Sequence, residues 1–211
     1  MTRPTVTAIV LAGGRASRFG GQKLEADIDG EPLLGLAVGA VAQVADQVLI
    51  AGPEPRSMAG LGDAGPLFIP DALPFEGPLV AIGGALRHAT GELAIVVGGD
   101  MPRLVPSVLE SMLDRLASDE AVDAVTLEPR PGGADSQARI PTLPLAMRIT
   151  TTIAVVDQAI EAGDRSLIRL LGRLRSTGVP ASDWLALDPD GRTLLDVDRP
   201  ADLDRITREL R

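Results

Sequence analysis

The chain has 211 residues, 45% apolar and only 2% aromatic, with a net charge of −9 and no cysteine. That apolar content suffices for one sizeable core. The acidic balance and the scarcity of rings argue against nucleic acid as a partner, and the missing thiols exclude disulfides, thiol catalysis and cysteine-bound metals. No charged-then-apolar leader opens the sequence and no apolar run approaches membrane-spanning length, so a cytoplasmic protein with no membrane partner is expected.

Short apolar runs alternate with amphipathic stretches, the pattern of an α/β sheet protein. Val6 to Ala12 is a near-continuous apolar run suited to a central parallel strand. Asp27 to Gly30 reads as a turn, and Pro32 to Ala45 as a helix with proline at its start. Strands are expected at Gln47 to Ala51 and Leu67 to Ile69, with a weakly specified, glycine-rich stretch between them. A helix over Pro78 to Ala89 precedes the second strong buried strand, Leu93 to Val97. Then come a helix over Pro106 to Ala117, a strand over Val122 to Leu127 and a Pro-Gly-Gly loop over Pro129 to Ala134. Thr142 to Met147 is a candidate strand. Thr151 to Ala162 and Ser166 to Leu174 read as helices, Thr193 to Val197 as a last strand, and Pro200 to Leu210 as a closing helix. No linker divides the chain, so residues 1–211 are expected to form a single domain.

The first strand runs into Gly13-Gly14-Arg15-Ala16-Ser17-Arg18-Phe19-Gly20-Gly21-Gln22-Lys23, and Lys23 is the only lysine in the chain. Glycines directly after a strand let backbone amides approach an anion with no Cβ in the way. Arg15, Arg18 and Lys23 supply local positive charge, and lysine offers a compact point charge where arginine offers a planar fork. The loop is neither a Walker loop nor a dinucleotide fingerprint, since the Gly-Lys-Ser/Thr and the third glycine are both missing. It reads as a cradle for a nucleotide's phosphates; the alternative is a surface turn with incidental arginines.

The second strong strand ends in Gly98-Gly99-Asp100-Met101-Pro102. Open α/β sheets bind ligands outside the carboxyl ends of their strands. Asp100 lies at such an end, the two glycines before it leave room for a substrate, and a carboxylate there suits Mg²⁺. Either Asp196 or Asp198 is a candidate to complete the metal site, with helix capping as the alternative for Asp198. Asp71, with Gly77-Pro78-Leu79, is a candidate rim for a base or ribose pocket. Arg165 and Ser166 are candidates for phosphate contact or for a helix cap. His88, the only histidine, reads as a surface residue, and Trp184 as a packing one.

Taken in order, Leu11-Ala12-Gly13-Gly14, Arg18, Lys23, Asp71, Gly77-Pro78-Leu79 and Asp100-Met101-Pro102 resemble the molybdenum cofactor guanylyltransferase family of nucleotidyltransferases. The terminal Asp196-Val-Asp198-Arg-Pro-Ala-Asp202-Leu is similar to that family's closing signature. The resemblance implies a Rossmann-like three-layer α/β/α sandwich with a mostly parallel sheet, of the nucleotide-diphospho-sugar transferase type. It also implies GMP transfer from GTP to the phosphate of molybdopterin, with release of pyrophosphate. Leu11, Ala12, Gly13, Gly14, Arg15, Lys23, Asp71 and Asp100 would bind the nucleotide. Arg18 and Lys23 would be catalytic, and Asp100 and Asp198 would hold Mg²⁺. Two departures stand out: the asparagine that the family places after the second strand is missing from Leu49-Ile50-Ala51-Gly52-Pro53, and the region around Thr142 to Met147 carries Leu-Pro-Leu-Ala-Met-Arg where the family often has a Leu-Tyr-Arg-like segment. Cytidylyl transfer, transfer to a sugar phosphate and non-catalytic nucleotide binding are the rival readings.

Overall fold

The computed structural model describes residues 3–13, 23–52, 65–70, 77–130 and 140–208. Its frame is a seven-stranded sheet. In chain order the first elements are β1 (Val6–Leu11), a short hairpin of β2 (Asp27–Ile28) and β3 (Glu31–Pro32), α1 (Leu33–Val41), β4 (Gln47–Ala51) and β5 (Leu67–Ile69). Next come α2 (Pro78–Leu86), β6 (Leu93–Gly98), α3 (Pro106–Ser118), β7 (Ala124–Leu127), β8 (Leu145–Arg148) and α4 (Ile149–Glu161). The chain closes with α5 (Leu167–Leu171), β9 (Ser176–Val179), α6 (Ala181–Leu187) and α7 (Pro200–Arg208). The strand order is β5-β4-β1-β6-β8-β7-β9. All pairings in this sheet are parallel except those of β8, which is antiparallel to both β6 and β7.

The alternation within each strand builds the three layers. In β1, Val6, Ala8 and Val10 face one side and Ile9 the other; in β6, Leu93, Ile95 and Val97 are divided in the same way from Ala94 and Val96. Side chains of α1, α3 and α6 cover the first face, with Trp184 fully buried there. Those of α2, α4 and α5 cover the second. A strand buried on both faces needs a near-continuous apolar run such as residues 6–12, where Thr7 is the one polar member. No helix among the described residues is long and apolar enough to cross a membrane.

Three expectations need correction. Thr193 to Val197 is not a strand: a 3-10 turn occupies Arg192–Leu194, because the buried Asp188 carboxylate takes the Thr193 N–H at 2.7 Å. Leu174 to Pro189 carries two elements that periodicity did not reveal, β9 and α6. The first is a short edge strand with a glycine in it, and such strands give a weak pattern. Finally, α1 stops at Val41 and begins after Pro32, which belongs to the hairpin.

The outer edge of the sheet, where β9 joins β7 in parallel, is pinned by charge. Arg175 on the way into β9 donates Nε and Nη2 to the two carboxylate oxygens of buried Asp123, each at 2.7 Å. The Asp123 N–H returns to the Arg175 carbonyl at 2.9 Å. These hydrogen bonds outweigh burial and lower the Asp123 carboxyl from its ordinary 3.8 to about 2. A depressed carboxyl stabilises the fold above its unfolded value and loses that contribution as pH falls through the folded value. Asp123→Asn is therefore expected to cost about 2 kcal/mol at neutral pH. Denaturant unfolding should show the gap from wild type closing between pH 4 and pH 2.

Candidate functional site

The strand order reverses at β1: β4 and β5 follow on one side, and β6 returns on the other. The crevice at such a reversal, beyond the carboxyl ends of the strands, is where open α/β sheets hold ligands. Leu11, Ala51 and Gly98 end their strands in register across this point. Ala12 N–H donates to the Ala51 carbonyl at 2.8 Å and Gly99 N–H to the Leu11 carbonyl at 2.9 Å. Gly13 then emerges exposed at the rim, whereas Ala12 is buried and Leu11 half-buried. At Gly52, with φ 142°, a Cβ would stand 2.8 Å from the backbone of Ala12 and of Gly13. The bare backbone there is what lets the β1 exit pass so close. Gly14, Arg15, Arg18 and Asp71, all predicted site residues, lie outside the described residues.

Three predicted residues from distant parts of the sequence do meet. Lys23 Nζ donates to Asp100 Oδ2 at 2.7 Å and to Asp198 Oδ1 at 3.4 Å. The lysine side chain is 15% exposed, that of Asp100 30% and that of Asp198 59%. Burial lowers the Lys23 pKa, but bonding and attraction to Asp100 and then to Asp198 overcome it, so the net shift is upward. Asp196 is shifted upward too, first by burial and then by repulsion from Asp198 and Asp100, with Lys23 opposing. The point is an acidic centre in which two carboxylates share one ammonium.

Sequence reasoning assigned the glycines before Asp100 to substrate space, and the structure assigns them differently. The space beside Gly98 is taken by the Asp100 carboxylate itself, since a Cβ there would collide with Oδ1. At Gly99 a Cβ would lie 3.1 Å from the Leu11 carbonyl and from Leu34. These glycines make room for Asp100 and for the β1 exit.

A small core, separate from the two that flank the sheet, brings the three charged segments together. Ile28, Leu33, Val197 and Ile206 are all buried against one another, with Ala26, Leu36 and Leu203 at the margin. Asp29 (φ 55°) and Gly30 (φ 93°) reverse the chain between β2 and β3, which folds Ile28 back on Leu33 just after Lys23. Asp-Gly suits this turn because both positions need positive φ. At the other end Val197 N–H donates to the Asp100 carbonyl at 3.0 Å. Asp198 does not cap α7. The Asp202 carboxylate instead accepts the N–H groups of Asp198 and Arg199, at 3.1 and 2.8 Å, which leaves the Asp198 carboxylate to face Lys23. Sequence reasoning missed this apolar quartet; the signal available was its placement, two apolar residues just after Lys23 and two around the terminal acidic run.

The other candidates take structural roles. The Ser166 hydroxyl caps α5 by accepting Arg169 N–H at 3.4 Å. Arg165 Nη1 donates to the Ile160 and Asp164 carbonyls at 3.2 and 2.9 Å, and Arg165 also abuts Gly77 at the head of α2. Arg148 lies opposite Leu93, at the far end of the sheet from the site, where it donates to the Leu116 and Asp119 carbonyls at the end of α3. His88 is exposed after α2, and Trp184 packs in the core with Nε1–H on the Glu128 carbonyl at 3.0 Å.

Residues 8–178 match the MobA-like NTP transferase domain. The chain belongs to the MobA-like NTP transferase family. It is 31% identical to the probable molybdenum cofactor guanylyltransferase of Deinococcus radiodurans, over 94% of this chain and 92% of that protein. A like-named protein of Nostoc sp. is 35% identical over 122 residues, 57% of this chain and 58% of that one, so there the chain spans little over half of its relative. Among solved structures it resembles molybdopterin-guanine dinucleotide biosynthesis protein A from Archaeoglobus fulgidus, with a TM-score of 0.75, 22% identity, and coverage of 97% and 98%. That last likeness concerns the fold. The nucleotide-diphospho-sugar transferase type of fold expected from sequence is the one observed.

If the small core holds the charged segments of this MobA-like site together, Ile206→Ala should loosen the site without melting the sheet. The expected cost is about 2–5 kcal/mol. Hydrogen exchange should show the Val197 amide and the amides of α7 losing protection while β1 and β6 keep theirs. Unchanged exchange at Val197 would contradict the scaffold.

Proposed function

We propose that this chain transfers GMP from GTP to the terminal phosphate of molybdopterin and releases pyrophosphate. An oxygen of the acceptor phosphate attacks the α-phosphorus in line. The bond from that phosphorus to the α–β bridging oxygen breaks, and its electron pair leaves on pyrophosphate. A phosphate oxygen is already a competent nucleophile, so the chain's own work is positioning and charge neutralisation. The observation that carries the reading is the Lys23 ammonium held between Asp100 and Asp198 at the strand-order reversal. The names of the family relatives support GTP and the molybdenum cofactor as substrates.

In this reading Leu11, Ala12 and Gly13 lead the backbone to the triphosphate, followed by Gly14 and Arg15. Lys23 and Arg18 bring positive charge to the reacting phosphates, and Asp71 contributes to the nucleotide pocket. Asp100 and Asp198 would hold Mg²⁺. The donor set fits such an ion: it is all carboxylate oxygen, and the ammonium now between the two carboxylates marks a place where a cation is needed. Among the described residues no three His, Cys, Asp or Glu side chains converge as a cage. Mg²⁺ commonly takes only one or two carboxylates, with phosphate oxygens and waters completing the shell. When bound, it supplies Lewis-acid stabilisation of charge on phosphate oxygens.

Lys23→Ala is expected to lower turnover by roughly 10²–10³-fold, the range for removal of one electrostatic donor. Asp100→Ala should abolish Mg²⁺-dependent activity. Pyrophosphate release with molybdopterin and each of GTP, CTP, ATP and UTP is the measurement. GTP should be the preferred donor, and near-normal turnover by Lys23→Ala would refute the role given to the lysine.

A further inference from the structure

Asp100 leaves β6 through two glycines, and the backbone donors of those glycines go to different partners. Gly99 N–H points to β1, where it meets the Leu11 carbonyl at 2.9 Å. Donors alternate sides along a strand, so Gly98 N–H points the other way, toward β8. The pairing of β8 with β6 stops at Leu145 opposite Val96, two residues short of Gly98. The ladder therefore supplies no carbonyl to this donor, and Gly98 is buried. Its acceptor is the Met101 sulfur, at 3.3 Å. Met101 N–H in turn donates to the Gly98 carbonyl at 3.2 Å. The two bonds close residues 98–101 into a turn with Asp100 inside it. The Met101 side chain is 4% exposed and packs in the core of the first face. The Asp100 carboxylate folds over the same glycine: a Cβ on Gly98 would collide with Asp100 Oδ1 and stand 3.3 Å from Met101 Cγ. A buried N–H that loses its acceptor bears the full cost of having left water. The sulfur thus favours the closed turn over an open one.

We propose that Met101 is a positioning residue for the transfer reaction: by accepting the Gly98 N–H, its sulfur holds the turn that sets the Asp100 carboxylate against Lys23. The inference rests on the functional reading above, in which Asp100 serves the nucleotide. Met101 lies in the core and acts through its neighbour. The same turn presents the Asp100 carbonyl to Val197 N–H at 3.0 Å, so the segment that carries Asp198 is anchored to it as well. Leucine has similar bulk and no acceptor, and therefore separates the sulfur's bond from its packing.

The experiment compares wild type, Met101→Leu and Met112→Leu. Met112 is a fully buried methionine of α3 in the same core, so its variant controls for the loss of a core thioether. Lys23 is the only lysine, and protein made with ¹³C-labelled lysine gives one Cε resonance that reports its contact with Asp100 with no substrate or metal added. That resonance should move in Met101→Leu and stay in place in Met112→Leu. The Gly98 amide should exchange roughly 10-fold faster in Met101→Leu, as one donor is left unpaired. With every variant fully folded, Met101→Leu should lower kcat for pyrophosphate release roughly 10-fold and keep the KM for GTP within about twofold, since a small displacement at a reacting centre is costly. Met112→Leu should keep the wild-type kcat. An unmoved lysine resonance or an unchanged kcat in Met101→Leu would overturn the assignment, as would an equal fall in both variants. If wild type releases no pyrophosphate with GTP and molybdopterin, the functional reading itself fails and this inference falls with it. A wild type that turns over beside a normal Met101→Leu removes only the inference.

Discussion

The site depends on one unequal sharing: a single ammonium, largely removed from water, serves two carboxylates, with a third acid near enough to be perturbed by them. The pair with Asp198 is weak by itself, because an ion pair with a partner 59% exposed is screened by solvent. The pair with Asp100 is shorter and less exposed. Together they reverse the effect of burial on Lys23, which stays charged. The centre keeps excess negative charge even with the lysine in place, and Asp196, whose pKa is raised first by its own burial, is raised further by Asp198 and Asp100.

Geometry at this centre is set by apolar packing and backbone bonds. Lys23, Asp100 and Asp198 come from a short 3-10 turn, a strand-to-helix run and the approach to the closing helix. Long charged side chains on independent loops would pay conformational entropy to meet. Here Ile28 and Leu33 bring in the first segment, and Val197 and Ile206 the last. The Val197 amide ties that last segment to the Asp100 carbonyl. Pairwise ion attraction is modest, so this small core is what makes a defined triad out of three mobile charges.

The central strands were legible because burial on both faces imposes a near-continuous apolar run, as at residues 6–12 and 93–97. The hairpin turn was legible because Asp29 and Gly30 answer a backbone demand for positive φ. Lys23 and Asp100 stood out because glycine pairs and strand ends mark them in sequence. What escaped is what periodicity does not encode. Four residues of β9 at a sheet edge, one of them glycine, leave hardly any pattern. The 3-10 turn at Arg192–Leu194 looks like a strand until the buried Asp188 claims its amide. Asp198 could be taken for a helix cap because nothing local says that Asp202 reaches back to accept those N–H groups. The glycines before Asp100 looked like substrate space because sequence alone does not show that the Asp100 carboxylate folds back to fill it.

The choice of lysine over arginine at position 23 follows from the same geometry, in a chain that otherwise uses arginine for every cationic side chain apart from its one histidine. An arginine fork engages one carboxylate along two parallel bonds, as Arg175 does with Asp123. That arrangement saturates a single acid and fixes its orientation, which suits the corner of the sheet. An ammonium has three rotatable donors on one small charge. It can hold Asp100 and Asp198 in different directions at once, and it can redirect a donor without unstacking a rigid plane. The fixed fork thus falls where the fold needs a clamp on one acid, and the point charge where two acids from different segments are held at once.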